Sequence, residues 1–278
     1  MDLQLQGKRA LVTGASRGIG LAIARQLARE GCRVALAARD PAALASAAQT
    51  IRAESGTDPV TAIVDTAFDD QVKAMVDKVA GALGGIDILV NAAAKPGGQG
   101  APPKLAEITD DLFWSDVNVK VMGYLRCARE AAPLMKARGW GRIINVSGTG
   151  ARQTGNLIGS IRNVSVAALT KNLADELGPH GINVTVVHPG LTRTEKTAGV
   201  VSARAQREGT SEIEVEKKMA ENTVVGRLIT AEEVADVVAF LASPRASAMS
   251  GTIVTVDAGF VSRGYPHAAR RPREERLR

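Results

Sequence analysis

The stretch Thr13-Gly14-Ala15-Ser16-Arg17-Gly18-Ile19-Gly20 follows an apolar run near the start of the chain. It predicts the end of a buried strand, a glycine-rich turn and the start of a helix. Gly14 would end the strand in a tight turn, Gly18 would let the backbone approach a pyrophosphate, and Gly20 would allow close helix–strand packing. Free N–H groups and the positive dipole end at the helix start favour an anion. A glycine-rich turn can also hold no ligand, but this position predicts dinucleotide binding.

Short apolar runs alternate with stretches of helical periodicity along the rest of the chain. The nearly continuous apolar run Ile86–Val90 indicates burial on both faces, as in a parallel sheet covered by helices. Strict alternation predicts an α/β fold with a doubly wound parallel sheet of the Rossmann type. The predicted strands are Arg9–Thr13, Arg33–Ala38, Val60–Asp65, Ile86–Val90, Arg142–Val146, Asn183–Val187 and Thr252–Val256. The predicted helices are Gly18–Glu30, Pro41–Glu54, Asp69–Leu83, Glu107–Ala137, Gly159–Gly178 and Ala231–Leu241.

The chain has 278 residues, of which 45% are hydrophobic and 23% charged, as in folded globular proteins. We expect a single domain over residues 1–262, followed by an arginine-rich tail over residues 263–278. Lys95–Lys104 has the composition of a loop. The polar connection 191–225, helical over Ser211–Ala220, follows a strand, so we expect it to lie at the ligand-binding rim as a substrate lid.

The net charge of +6 is concentrated in the tail, where six arginines accompany two glutamates. Aromatic residues make up 3% of the chain, which leaves few platforms on which nucleic-acid bases could stack. We therefore expect a solvated or oligomer-contacting tail. Nucleic-acid binding is the less favoured alternative.

The chain has two cysteines and three histidines without paired spacing, so we expect neither a disulfide framework nor a metal site. The N-terminus has no apolar signal-peptide stretch, and no run approaches the roughly 18 apolar residues of a membrane span. We expect a cytoplasmic protein without membrane contacts.

The glycine spacing Gly-x-x-x-Gly-x-Gly and several later motifs resemble the short-chain dehydrogenase/reductase family from about Gly7 to Gly259. The further motifs are Asp65, Asn91-Ala92-Ala93, Asn118, Asn145-Val146-Ser147, Pro189-Gly190 and Asp257-Ala258-Gly259. The resemblance implies that Asp65 meets an adenine and that residues 91–93 lie along the cofactor. It also implies that Thr192 and Thr194 lie near the nicotinamide carboxamide and the phosphates. The cofactor-binding residues expected from the turn and the resemblance are Gly14, Ser16, Arg17, Gly18, Ile19, Gly20, Arg39, Asp65, Thr66, Asn91, Ala92, Ala93, Asn163, Pro189, Gly190, Thr192 and Thr194.

The end of the second strand predicts which nicotinamide cofactor is bound. An acidic residue there would accept hydrogen bonds from the adenosine ribose and repel a 2′-phosphate. The strand ends Ala37-Ala38-Arg39, and Arg17 lies in the glycine turn. Two guanidinium groups suit a phosphate dianion, so we expect NADP(H) rather than NAD(H).

The chain departs from the family at the catalytic pair, a tyrosine acid four residues before a lysine. Alignment of the helix that ends at Leu177 places Gly159 at the tyrosine position and Asn163 at the lysine position. Tyr124 lies on another predicted helix and Tyr265 in the tail, so a shifted register does not restore the pair. Glycine has no proton to donate, and hydride addition to a carbonyl requires a group that protonates or stabilises the alkoxide.

Several residues are candidates for the missing roles. Ser147 is a candidate active-site hydroxyl, although an equally good alignment places Gly148 there. Asn118 would hold a helix kink or a water, and Asn163 could hydrogen-bond the nicotinamide ribose. The remaining alternatives are His188 or Lys95 as proton donors, and Arg152 or Arg162 as clamps for an anionic substrate or an oxyanion.

Two functions fit these residues. The first is an NADP(H)-dependent oxidoreductase acting on a carbonyl or hydroxyl of a small molecule, with non-standard proton delivery. The second is an NADP(H)-binding protein without net redox activity, such as a sensor, a partner subunit or an elimination or cyclisation enzyme. The resemblance also implies a homodimer or homotetramer packed through the helices Glu107–Ala137 and Gly159–Gly178.

Overall fold

A computed structural model describes residues 1–95 and 101–259. Seven parallel strands form one sheet: β1 Arg9–Thr13, β2 Arg33–Ala38, β3 Val60–Ile63, β4 Ile88–Asn91, β5 Gly141–Val146, β6 Ile182–Pro189 and β9 Ile253–Val256. Their order in the sheet is β3-β2-β1-β4-β5-β6-β9. The order reverses between β1 and β4, which opens a crevice at the carboxyl ends of the strands.

Helices cover both faces of the sheet. Helices α1 (Gly18–Arg29), α2 (Pro41–Ser55) and α9 (Ala231–Ala242) pack into one hydrophobic core. Helices α3 (Asp69–Leu83), α5 (Gly123–Lys136) and α6 (Leu157–Leu177) pack into the other. The predicted doubly wound fold is therefore confirmed.

A single long predicted helix, Glu107–Ala137, is divided in the structure. It consists of α4 (Asp110–Val117), a π-helical turn over Asn118–Met122, and α5. A π-turn holds one extra residue and rotates the side chains that follow it, and such turns are frequent at functional sites. This one places Val119 beside Thr66, after β3, and Lys120 beside Ser147, after β5.

The connection 191–225 holds more structure than the sequence indicates. It contains α7 (Thr197–Glu208) in addition to α8 (Glu212–Glu221), which corresponds to the predicted helical part. Strand β7 (Thr192–Arg193) pairs with β8 (Ile229–Thr230) in a separate two-stranded sheet. Val201 and Ala205 of α7 pack against Val215 and Met219 of α8, so the two helices form a small core of their own.

Within the described ranges, no helix combines the length and apolar character needed to cross a membrane. Residues 1–95 and 101–259 also contain no group of three or more histidine, cysteine or acidic side chains that could hold a metal ion. The tail 263–278, with its arginines, lies outside the described residues, as does part of the loop Lys95–Lys104.

Candidate functional site

A cavity of about 750 Å³ lies at the carboxyl edge of the sheet and extends beneath the connection 191–225. Most of the predicted site residues line it: Gly14, Ser16, Arg17, Gly18, Ile19, Gly20, Arg39, Asp65, Thr66, Ala92, Ala93, Ser147, Thr192 and Thr194. Five predicted residues are not among the lining residues: Asn91, Asn118, Asn163, Pro189 and Gly190.

The glycines of the first turn leave room for a ligand, as the sequence predicts. A Cβ on Gly14 would lie 2.8 Å from backbone atoms of Ala92, and one on Gly20 would lie 2.3 Å from the Gly14 carbonyl oxygen. Gly18 has a φ of +57°, and a Cβ there would meet nothing closer than 3.7 Å. The backbone is therefore closely packed behind the turn and open in front of it.

A carboxylate already contacts the start of α1. The Gly18 N–H donates to Oε2 of the exposed Glu195 over 3.2 Å. This contact shows that an oxyanion fits at the helix N-terminus, where the free N–H groups and the helix dipole attract negative charge. The residues present thus fit the pyrophosphate of a dinucleotide.

The basic end of the cavity contains Arg17 and Arg39. The Arg39 side chain is 59% exposed, and its Nη1 lies 3.9 Å from Oδ2 of Asp65. Asp65 Oδ1 in turn accepts a hydrogen bond from the Ala67 N–H over 3.0 Å. Asp65 therefore holds Arg39 at the cavity edge without neutralising it by close contact.

Hydrogen bonds fix the turn after β4. Thr13 Oγ1 accepts from the N–H groups of Ala92 and Ala93 over 3.2 and 3.3 Å. Asn91 is fully buried, and its Nδ2 donates to Asn145 Oδ1 over 2.9 Å. Asn91 thus connects β4 to β5 through a side-chain hydrogen bond. The next two residues, Ala92 and Ala93, line the cavity.

The turn after β6 is fixed in a similar way. The Gly190 N–H donates to the Val256 carbonyl over 2.8 Å, and a Cβ on Gly190 would lie 2.7 Å from Asp257 Cα. Thr192 Oγ1 donates to the Gly190 carbonyl over 3.0 Å. Gly190 shapes the turn, and Thr192 faces the cavity together with Thr194.

Asn118 and Thr66 connect the π-turn to the end of β3. Asn118 Nδ2 donates to the Ala67 carbonyl over 3.3 Å, and its Oδ1 accepts from Arg126 Nη2 over 2.9 Å. Thr66 Oγ1 donates to the Val119 carbonyl over 3.0 Å. The structure therefore places Asn118 at the predicted helix irregularity, where it contacts backbone and an arginine.

Helix α6 presents Gly159 and Asn163 on its buried side. The Gly159 N–H donates to Oδ1 of the N-cap residue Asn156 over 2.8 Å, and a Cβ at position 159 would lie 2.9 Å from Asn156 Cγ. A side chain larger than hydrogen at this position would therefore displace the helix cap.

Lys120 lies against Ser147 and Asn163, and the sequence arguments did not identify it. Its Nζ donates to the Ser147 carbonyl over 2.9 Å and to Asn163 Oδ1 over 3.2 Å. Ser147 Oγ donates to the Asn163 carbonyl over 3.1 Å. Lys120 and Ser147 line the cavity, whereas Asn163 lies behind them. The sequence carried only a weak signal: Lys120 lies three residues after Val117 and four before Tyr124, at a spacing that can share a helix face, but a lysine there is normally solvated.

The surroundings of Lys120 make its ammonium easier to deprotonate than that of an exposed lysine. Burial, followed by the charge of Arg162, lowers the pKa of the Lys120 amine to about 7, and Asp116 only partly opposes this. Arg162 Nη1 lies 2.5 Å from Asp116 Oδ1, so its guanidinium is paired there as part of the same cluster.

The other candidates for proton transfer are less well placed. The Tyr124 hydroxyl donates to the Val146 carbonyl over 2.8 Å, and burial raises its pKa. His188 is buried, and neither ring nitrogen finds a hydrogen-bond partner among the described residues. Burial, then the charges of Lys120 and Arg152, lowers the His188 pKa to about 4. Lys95 lines the cavity, whereas Arg152 is exposed on a short 3₁₀ turn.

Comparisons with known proteins show the family to which the chain belongs. A family model described as Enoyl-(Acyl carrier protein) reductase matches residues 14–261. The chain belongs to the short-chain dehydrogenase/reductase family.

Relatives match over nearly the whole chain. It is 34% identical over 251 residues to the short-chain reductase protein NovJ of Streptomyces niveus, and the match covers 90% of this chain and 92% of the relative. It is 32% identical over 264 residues to the 3-oxoacyl-[acyl-carrier-protein] reductase of Aquifex aeolicus, covering 93% and 99%. The structure of L-sorbose reductase from Gluconobacter frateurii, complexed with NADPH and L-sorbose, matches with a TM-score of 0.88 and 32% identity, covering 94% and 98%.

Proposed function

We propose that this protein is an NADP(H)-dependent oxidoreductase that acts on a carbonyl or hydroxyl group of a small molecule. The observation that carries the proposal is the cavity itself, which joins an anion-binding helix start, two arginines and a buried lysine–serine pair. These groups match the phosphate, ribose and reacting ends of a nicotinamide nucleotide with a carbonyl beside it.

The preference for NADP(H) is supported by Arg17 and Arg39. Both line the end of the cavity next to β2, which carries no acidic residue within Arg33–Ala38. The relative solved with L-sorbose contains NADPH, in agreement with this preference. Gly14, Gly18 and Gly20 would hold the pyrophosphate, and Ala92, Ala93, Thr192 and Thr194 would border the nicotinamide half.

The mechanism follows from what each end of the cavity can do. When bound, the cofactor supplies or accepts a hydride. The backbone of the glycine turn and the two arginines bind and orient the nucleotide, and α7 and α8 exclude water from the substrate side. Proton delivery differs from the family pattern, because positions 159 and 163 are glycine and asparagine. Positioning the carbonyl still contributes to the rate, since correct orientation alone removes a large part of the barrier.

The segment 191–225 supports a further part of the proposal, a lid over the substrate. Val200 of α7 and Met219 of α8 line the cavity, and the two helices share a core that is separate from the sheet. They could therefore move as a pair. Slower amide hydrogen exchange of residues 191–225 on addition of NADPH is the expected result, and unchanged exchange would contradict a lid.

Exposed apolar residues on α4 and α6 support assembly into a homodimer or homotetramer. Trp114 is 60% exposed, and Ile161 and Val164 are 42% and 50% exposed. Large apolar groups clustered on a surface mark protein contacts. Light scattering after size exclusion should show a dimer or tetramer that Ile161→Asp dissociates, and a monomeric parent protein would refute the assembly.

The function is tested by the loss of NADPH absorbance with a panel of ketones and aldehydes, including anionic ones. The matched control is Gly18→Asp. Its Cβ would lie 3.7 Å from Thr194 Cγ2, in a left-handed backbone conformation that aspartate adopts more often than most residues, and its carboxylate would occupy the position proposed for the pyrophosphate. We expect turnover by the parent protein and loss of NADPH binding by the variant. Tight NADPH binding without turnover of any carbonyl would favour a binding protein without net redox chemistry.

A further inference from the structure

Position 163 on α6 carries a neutral asparagine, and the π-turn between α4 and α5 places a lysine beside it. Asn163 is neutral, but Lys120 Nζ lies 3.2 Å from its Oδ1 and is almost fully buried. The π-turn Asn118–Met122 carries Lys120, so the ammonium reaches α6 from the side. The cavity therefore has a cationic group beside Ser147, although no lysine stands on α6 at that position.

The hydrogen bonds of Lys120 leave it able to serve a ligand. An ammonium has three N–H donors. Two of them are used, on the Ser147 carbonyl and on Asn163 Oδ1. Among the described residues the third has no acceptor in hydrogen-bond range, and Lys120 borders the cavity. An oxygen atom of a bound substrate is the partner that this geometry suits.

We propose that Lys120 is the proton donor of the reaction, a role that rests on the proposed oxidoreductase function. A C–H bond forms at the carbonyl carbon with the hydride supplied by NADPH, and the C=O π electrons move to oxygen. That oxygen takes a proton from Lys120 Nζ, so an N–H bond breaks and an O–H bond forms. The carbonyl is reduced by two electrons, NADPH is oxidised, and the neutral amine regains a proton from water. Asn163 is a positioning residue that orients Nζ.

The surroundings of Lys120 allow its ammonium to release a proton near neutral pH. The charged and titratable groups that interact with it are Arg162 on α6, Asp116 on α4 and His188 on β6; Arg152 on the 3₁₀ turn acts on His188, and Tyr124 on α5 lies near Arg162. Burial and then the charge of Arg162 lower the pKa of the amine to about 7. The best general acid has a pKa close to the working pH.

The test compares Lys120→Met and Lys120→Arg with the parent protein. We expect kcat for carbonyl reduction in the parent protein to be constant in acid and to fall above about pH 7, because the ammonium is the active form. Lys120→Met should lose about a hundredfold or more in kcat, and its remaining activity should lack this pH dependence. Lys120→Arg, which stays charged, should shift the fall to much higher pH.

Two further measurements separate the possible failures. NMR of the lysine side chains in the protein without cofactor should show one amine titrating near pH 7 that is absent from Lys120→Met. The control Lys171→Met alters an exposed lysine of α6, paired with Asp175, and should leave kcat and its pH profile unchanged. If the parent protein turns over a carbonyl and Lys120→Met keeps the full kcat and the same pH profile, the proposed role of Lys120 is wrong, but the oxidoreductase function stands. No turnover by the parent protein would overturn the oxidoreductase function as well.

Discussion

Arg39 should set the preference of this protein for NADPH over NADH, and Arg39→Ala tests this directly. The guanidinium lines the cavity beside β2 and is 59% exposed. A hydrogen bond to a charged group contributes about 1.5–3 kcal/mol when it is well shielded. Solvent weakens the contact here, so we take the lower end of that range, which corresponds to a roughly tenfold weaker NADPH complex.

Asp65 increases the expected effect. Its carboxylate lies 3.9 Å from Arg39 Nη1, so removal of the arginine leaves this negative charge unpaired at the end of the cavity proposed for the 2′-phosphate. NADH carries no such phosphate, and its dissociation constant should change by less than about threefold. Combining Arg39→Ala with Arg17→Ala should extend the loss for NADPH to about a hundredfold.

Calorimetric titration of both nucleotides at two salt concentrations provides the measurement. The dissociation constant for NADH divided by that for NADPH should be smaller in Arg39→Ala than in the parent protein. In the parent protein this ratio should also fall as salt rises, because screening weakens exposed charges. The control is Arg29→Ala on α1, an exposed arginine paired with Glu54 at 3.0 Å and remote from the cavity lining. Equal weakening of NADPH and NADH by Arg39→Ala would refute a contact with the 2′-phosphate.

Three further outcomes are expected. Glu195→Gln should tighten NADPH about threefold in the same titration, because the Glu195 carboxylate competes for the Gly18 N–H; unchanged affinity would contradict this competition. Asp87→Asn should lower the free energy of unfolding by about 3 kcal/mol at neutral pH, since it leaves Arg9 buried without its partner. Burial raises the Asp87 pKa, but the hydrogen bonds and charge of Arg9 outweigh it and hold the pKa low. The difference in free energy of unfolding between the parent protein and Asp87→Asn, measured by urea titration, should therefore shrink below about pH 4. A difference that stays constant with pH would be contrary evidence. The parent protein should also gain stability relative to Lys120→Met as pH rises above about 7, by up to about 1.4 kcal/mol per pH unit, because Lys120 keeps its proton in the unfolded chain and releases it in the folded one. A difference in free energy of unfolding that does not change with pH would argue against a lowered pKa of Lys120.

The sequence was sufficient for the sheet and for placing the glycine turn at the cavity, because both depend on local patterns. Strands β1 and β2 begin and end at the predicted residues, as does α3. Each of these elements has a clear apolar period, and the glycine turn has a steric requirement that only a few residue types meet.

The sequence was not sufficient for α7 or for Lys120. The buried apolar residues of α7 are Val201 and Ala205, which pack with Val215 and Met219 of α8 and with Leu228. Two such positions are too few for the local sequence to indicate a helix. A lysine on an amphipathic helix is normally solvated. Lys120 is buried because the π-turn and the packing of α6 bring it to Ser147, and both are properties of the tertiary structure.

The most direct test of the account follows the hydride itself. NADPH that carries deuterium at its transferable position is incubated with the protein and the best carbonyl substrate of the panel, and the product is analysed by mass spectrometry and NMR. The account predicts one deuterium on the former carbonyl carbon of each product molecule. A product without deuterium, formed while NADPH stays bound and unoxidised, would contradict it.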